Sequence, residues 1–272
     1  MRRPQLPAAL SLLVLAGCVP EPVRWDEALV RTAGALADST RLGFDAASGA
    51  PVLGVAWQPA AWPSEPALCV TSRRATPALD GEAFASWFAV RPDSSVVLRV
   101  ARSHDGGGSW NVAVTADSTD VGRAGCDRPA PFIAADSVNG YVHVVYHLVG
   151  REGAGIFFTH TMDRGAMFHA VVPIVYGDRP AAASIASHGD TIVVAFEDPN
   201  SRFPRLGLAL SQSQGHIFES RMAASDETGE ARMPRVALLG DRIAVVWMAS
   251  QLGGGMPRIV LRQGRLQFPE ER

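Results

Sequence analysis

The chain has 272 residues, of which 47% are hydrophobic and 19% charged. This is an ordinary globular balance, with length for one large domain or two small ones. The formal charge is −2, all 25 basic residues are arginine, and no basic run occurs, so the charge pattern argues against a nucleic-acid partner. The lack of lysine excludes Schiff-base and lysine-base chemistry.

The first residues read as a targeting segment. Arg2 and Arg3 form a charged start, and residues 6–15 are an apolar stretch containing Pro7. That stretch is short of the roughly 20 apolar residues a spanning helix needs. It ends in Leu15-Ala16-Gly17-Cys18, which resembles a bacterial lipobox. The resemblance implies removal of residues 1–17 as a signal peptide and acylation of Cys18, which would tie the chain to a lipid bilayer. Loss of Arg2 and Arg3 would move the charge to −4. Val19, where an inner-membrane retention signal would carry Asp, favours the outer membrane. The expected address is the bacterial cell envelope, lipid-anchored on the periplasmic side.

Residues 19–23 carry two prolines and read as a tether. Over residues 25–37, Ala28, Leu29, Ala33 and Leu36 fall at helical spacing and predict one short helix. Beyond it the pattern turns to strands. Pro51-Val52-Leu53-Gly54-Val55-Ala56-Trp57 is a strand with no evident partner. Apolar runs at 82–90, 141–148, 191–197 and 242–248 each carry an aromatic at a matching place: Trp87, Tyr146, Phe196 and Trp247. After the first three comes a recurring phrase. Ser103-His104-Asp105-Gly106-Gly107-Gly108-Ser109-Trp110 reads S-x-D-x-G-x-x-W, and Thr161-Met162-Asp163-Arg164-Gly165-Ala166-Met167-Phe168 reads T-x-D-x-G-x-x-F. Ser211-Gln212-Ser213-Gln214-Gly215-His216-Ile217-Phe218 keeps the frame with Ser213 at the Asp place. The copies lie 58 and 50 residues apart. A unit start recurs as Asp127-Arg128-Pro129, Asp178-Arg179-Pro180 and Arg232-Met233-Pro234.

One unit therefore reads as start, strand, aromatic strand, third strand, Asp-phrase turn and fourth strand. That is a four-stranded antiparallel blade. Four units begin near residues 68, 127, 178 and 231, and the last is cut short after a third strand at 258–261. The expected fold is an all-β propeller of about four such blades. Because a ring must close or leave sheet edges open, the N-terminal strand at 51–57 is expected to complete the last blade. The expected divisions are residues 1–17 (signal), 18–43 (tether and helix) and 44–272 (propeller).

The phrase suits a tight turn. A carboxylate two residues after Ser or Thr accepts hydrogen bonds from turn amides. The Gly two places later takes positive φ without a Cβ clash, and the closing aromatic packs into the blade. Asp105 and Asp163 are read as turn braces rather than catalytic acids.

These phrases resemble the Asp-box, or BNR, repeat of the sialidase-like β-propellers, and the resemblance covers roughly residues 68–268. It implies the fold and leaves function open, because the repeat serves enzymes and binding proteins alike. A sialidase-like site needs an arginine cluster for a carboxylate, a Tyr–Glu nucleophile pair and an acid Asp. The family's early Arg-Ile-Pro phrase is absent. Of three tyrosines, Tyr146 falls in a core register, leaving Tyr141 and Tyr176, and no nucleophile can be assigned.

Arg128, Arg179 and Arg232 sit at equivalent places in successive units and can form an arc around an anion or acidic partner. The alternative is that each caps a strand or pairs locally, which Asp127 and Asp178 suggest. Cys69 and Cys126 form a disulfide across the first repeat or stay as buried thiols. His143 and His147, four apart on a strand, would stand about 13 Å apart, too far to share one ion. No metal site and no cofactor is expected. The reading favoured is a non-catalytic binding or scaffold subunit of an envelope or membrane protein complex. The alternative is a sialidase-like glycoside hydrolase or glycan-binding protein.

Overall fold

The structure, a computed structural model, describes residues 21–27, 29–67, 69–122, 127–225, 229–251 and 255–267. The tether before residue 21, Cys18 and Cys126 lie outside the described residues. Among those described, all extended elements are β-strands. Two short ones come first, β1 (Val23–Trp25) and β2 (Leu29–Ala33), then β3 (Thr40–Phe44) and β4 (Pro51–Val55). The first sheet follows as β5 (Cys69–Val70), β6 (Arg74–Pro77), β7 (Ala83–Val90), β8 (Val96–Ser103) and β9 (Val114–Asp117). The second sheet is β10 (Phe132–Ala135), β11 (Val142–Gly150), β12 (Gly153–Thr161) and β13 (Val172–Tyr176). The third is β14 (Ala183–His188), β15 (Thr191–Glu197), β16 (Leu206–Ser211) and β17 (Ser220–Ala223). The fourth contains β18 (Gly229–Leu239), β19 (Arg242–Gln251) and β20 (Arg258–Leu266).

Each sheet is an antiparallel meander four positions wide. In the first, β5 and β6 share the position beside β7. In the fourth, β1 and β2 share the position beside β20, with Val23 opposite Leu266 and Leu29 opposite Leu261. This is the blade topology expected from the repeat. The aromatic strands are the second strands, and Trp87, Tyr146, Phe196 and Trp247 are all buried in them.

Two expectations need correction. The stretch at 25–37 holds strands rather than a helix. Its apolar spacing suits either form, but β20 presents an unpaired edge, and satisfying those backbone groups outweighs the periodicity. The fourth sheet is thus completed from the N-terminal side, but not by 51–57. That strand pairs with β3, Thr40 opposite Val55 through Phe44 opposite Pro51. The β3–β4 turn explains the choice: the Asp45 carboxylate accepts from the Ser48 amide at 2.8 Å and its hydroxyl at 2.7 Å, and Gly49 takes φ 62°. Closing six residues costs far less chain entropy than reaching a strand two hundred residues on.

The sheets pack face to face in chain order. Strand β10 lies against β6 and β7, β14 against β10 and β11, β18 against β14 and β15, and β3 against β18 and β19. Alternation along β11 divides its side chains between two cores. Val144, Tyr146 and Leu148 meet Phe84, Phe88 and Leu98 of the first sheet, while Val145 meets Ile185 and Val194 of the third. Burial on both faces explains why β7 and β15 read as nearly continuous apolar runs. The hairpin contributes Leu42 to a core with Ala237, Val246 and Leu261 of the fourth sheet. Trp62 and Ala67, downstream of the hairpin, cover Trp87 of the first sheet.

The phrase turns join neighbours. Gly165 in the second sheet sits over the Phe84 ring of the first, and Gly215 in the third over Phe158 of the second. Gly107 in the first sheet sits over Trp57 and Pro59, just after the hairpin. All three adopt φ of 88°, so glycine serves both the left-handed backbone and the close approach.

Candidate functional site

A four-position meander has two ends. The turns joining first to second and third to fourth strands lie at one end, and the loops joining second to third strands and one sheet to the next lie at the other. The phrase turns occupy the first end, and the unit starts bearing Arg128, Arg179 and Arg232 occupy the second.

The phrase turns are internally braced. Asp105 Oδ1 accepts from the Ser103 hydroxyl (2.7 Å) and from the Gly108 and Ser109 amides (3.0 and 2.8 Å), while the Gly107 amide donates to Ser103 Oγ at 2.7 Å. Bonds from Ser109 and Ser103 hold the Asp105 carboxyl well below the usual carboxylate range. Asp163 repeats this with Thr161 (2.5 Å) and the Ala166 and Met167 amides (2.9 and 3.0 Å), and its carboxyl is likewise lowered, chiefly by Thr161. A carboxylate held ionised by its own turn is a poor general acid. In the third copy Ser213 Oγ accepts from the Ile217 amide at 3.3 Å and donates to Glu219 at 3.0 Å, so Glu219 supplies part of the missing charge. The Gly215 amide still donates to Ser211 Oγ at 3.0 Å. The closing aromatics pack into the cores, Phe168 and Phe218 among them, and the Trp110 indole donates to the Ala61 carbonyl at 2.7 Å.

The three unit-start arginines are each engaged near home. Arg128 pairs with Asp120, both buried, and lies 4.8 Å over the Phe88 ring. Arg179 donates to the carbonyls of Asp198 (2.6 Å) and Ser201 (3.2 Å). Arg232 pairs with Glu230 at 3.2 Å and is half exposed. These contacts are local, to carboxylates for Arg128 and Arg232 and to backbone carbonyls for Arg179. Cys69 is disulfide-bonded; Cys126 is outside the described residues.

The inner strands instead bring together two other arginines. Arg235, 4% exposed, donates to the carbonyls of Thr40 (2.9 Å), Pro234 (2.9 Å), Ala37 and Asp38 (both 3.3 Å). Its guanidinium lies 4.8 Å over the Phe132 ring, and Arg74 lies 5.0 Å over the same ring. Burial, then the charge of Arg74, pushes Arg235 down to about 10. Arg74 reaches Asp38 at 3.6 Å. This cluster fastens the hairpin segment to the first, second and fourth sheets. The repeat alignment missed it because Arg74 and Arg235 do not hold equivalent places.

Two of the tyrosines pair with carboxylates. Tyr146 is buried and donates to Asp117 at 2.8 Å, and burial raises its hydroxyl well above the usual range. Tyr176, on the outer strand β13, is 43% exposed and stands 3.4 Å from Glu152.

Two open features remain at the loop end and the rim. A cleft of about 670 Å³ is lined by Asp26, Glu27, Glu230, Trp247, Arg258 and Arg262 among others. The second is β4. No described strand pairs with its outer edge, and Val52, Leu53 and Val55 are 43%, 40% and 77% exposed. At the phrase-turn end His160, His169 and His216 gather, each able to offer a nitrogen within 4.8 Å of the others. His143 and His147 lie buried on β11, and burial pushes His143 down to about 3.

No family model matches the chain, and no curated protein matches it. Among solved structures the chain is similar to a Hadza microbial sialidase, with 14% identity, 68% of this chain and 45% of that one covered, and a TM-score of 0.49. It is similar to the NanB sialidase of Streptococcus pneumoniae, with 10% identity, coverage of 73% and 50%, and a TM-score of 0.48. A protein of unknown function from Dyadobacter fermentans gives 11% identity, coverage of 90% and 100%, and a TM-score of 0.46. The chain spans half or less of either sialidase. At these identities the likeness is one of fold alone.

Proposed function

We propose that this chain is a non-catalytic binding module of a bacterial cell envelope, held to the membrane through an acylated Cys18. It is a ring of five members, four full sheets and the β3–β4 hairpin as an incomplete fifth, with the phrase turns as Asp-box braces. Its partner is a protein that adds an extended strand to the hairpin. The observation that carries the reading is the open outer edge of β4, which leaves Val52, Leu53 and Val55 exposed. Unpaired strand edges bearing exposed apolar side chains are usually covered or blunted, and strand addition at such an edge is a recurrent mode of protein recognition.

The test compares affinity capture from detergent-solubilised native membranes by the wild-type chain and by Leu53→Lys. A partner recovered stoichiometrically with wild type and lost with Leu53→Lys supports the reading. Equal recovery by both chains contradicts the edge, and hydrolysis of a fluorogenic sialoside by the purified chain contradicts the non-catalytic assignment. A second reading, glycan binding, is favoured by the loop-end cleft, whose lining includes carboxylates, arginines and Trp247. Such a mixture of charged and aromatic lining suits a polyhydroxylated ligand. Glycan-array binding lost in Glu230→Ala would favour it.

A further inference from the structure

The three gathered histidines come from two sheets. His160 is the second-last residue of β12, and His169 follows the phrase turn that begins at Thr161. The His169 amide donates to the His160 carbonyl at 2.9 Å, so the turn itself brings the two together. His216 lies inside the phrase turn of the next sheet. The ring centroids stand 4.4 Å apart for His160 and His169, 4.8 Å for His160 and His216, and 5.7 Å for His169 and His216.

Two features distinguish this group from three histidines packed by chance. His160 is 2% exposed, yet neither ring nitrogen has a hydrogen-bond partner among the described residues. A buried imidazole normally satisfies at least one nitrogen, and leaving both unmet is costly. Second, His216 Nδ1 lies 2.7 Å from the Ser213 carbonyl oxygen. A carbonyl only accepts, so Nδ1 carries the proton and Nε2 presents its lone pair. That backbone bond is the support usually found behind a metal-bound histidine.

We propose that His160, His169 and His216 bind one divalent transition-metal ion of the Zn²⁺ class, clamping the phrase turn of the second sheet to that of the third. Zn–N bonds of about 2.0–2.1 Å put tetrahedral ligand nitrogens roughly 3.3 Å apart. The group must therefore contract from its present span of up to 4.8 Å. His160 is fixed by its surroundings, stacked with Phe158 at 5.5 Å. His169 is half-buried and His216 exposed, so these two close the site, His169 by turning out of its stack on His160. Three nitrogens leave a fourth position open to water. Imidazole ligands with no thiolate or carboxylate suit Zn²⁺, Cu²⁺ or Ni²⁺ and disfavour Ca²⁺ and Mg²⁺.

The purified full chain, stripped with chelator, is titrated with Zn²⁺ by isothermal calorimetry, and its thermal midpoint is followed in parallel. The expected result is one Zn²⁺ per chain and a midpoint raised by roughly 5–10 °C at hundredfold excess over Kd. Co²⁺ should give the intense visible absorbance of a tetrahedral site, and Ca²⁺ should give no shift. His216→Ala and His169→Ala should each weaken Zn²⁺ at least about tenfold while keeping the chelator-treated midpoint of wild type, which shows that they fold. The exposed His104 is the control, and His104→Ala should bind as wild type. Absence of stoichiometric Zn²⁺ overturns the proposal. So does Zn²⁺ binding that survives His216→Ala, or that is lost equally in His104→Ala.

Discussion

Gly107→Ala tests how the first sheet is joined to the hairpin segment. Gly107 holds φ 88°, and a Cβ there would stand 2.7 Å from Pro59 Cβ, 2.8 Å from the Trp57 ring and 3.2 Å from Pro59 Cα. The left-handed backbone costs a non-glycine residue about 1–2 kcal/mol. Forcing a methyl against a proline adds about 1–3 kcal/mol, since backbone and ring cannot yield as a flexible chain end would. The sum is about 2–5 kcal/mol, or roughly 5–15 °C in thermal midpoint for a chain of this size. Two comparators separate the terms. Gly165→Ala has the same φ but meets Phe84 at 3.2 Å, and Gly189→Ala has φ 61° with nothing within 4 Å. Urea denaturation should rank the costs Gly107→Ala above Gly165→Ala above Gly189→Ala. A cycle with Pro59→Gly, which removes the nearest atom, should show a coupling of about 1 kcal/mol. If Gly107→Ala costs no more than Gly189→Ala, the turn does not dock on the hairpin segment and the joining scheme is wrong.

Three further outcomes follow from buried polar groups. Burial depresses His143 to about 3 and also lowers His147. The unfolded chain therefore binds more protons in acid, and stability present above about pH 6.5 is lost as pH falls toward 3. For His143 the loss is on the order of 4 kcal/mol, so the stability of metal-free protein against denaturant should fall steeply with acid, and His143→Phe should flatten that slope. Tyr146→Phe removes the 2.8 Å donor to the Asp117 carboxylate and should cost about 1.5–3 kcal/mol in urea. Arg235→Lys should not rescue Arg235→Met in thermal denaturation, because one ammonium cannot span the four carbonyls that the guanidinium reaches.

What could be read from the sequence was local. The phrase at 103–110, 161–168 and 211–218 sets its own hydrogen bonds within a few residues, so its turns follow from residue order alone. The aromatic strands were equally legible: the 191–197 run coincides with β15, and the others fall within a few residues of β7, β11 and β19. What the sequence hid was partner choice. The 25–37 segment took strand form because the β20 edge lacked a partner, and nothing in its own residues signals that edge. The β3–β4 pairing hinges on Asp45 and Gly49, a local turn signal that competes with the demand of an open ring for a closing strand. His160, His169 and His216 meet because two phrase turns from neighbouring sheets abut. One signal was present: His160 and His169 flank the second copy of the phrase, and His216 sits inside the third. Arg74 and Arg235 converge from non-equivalent places, which no repeat alignment can align.

The central claim is that the chain binds a partner through the open edge of β4. A photo-crosslinking residue at Val55, 77% exposed beside that edge, tests it in the native host. The account predicts one discrete cross-linked species, abolished by Leu53→Lys and absent when the crosslinker is placed at exposed Val112 instead. No adduct at Val55, or the same adducts from Val112, would contradict it.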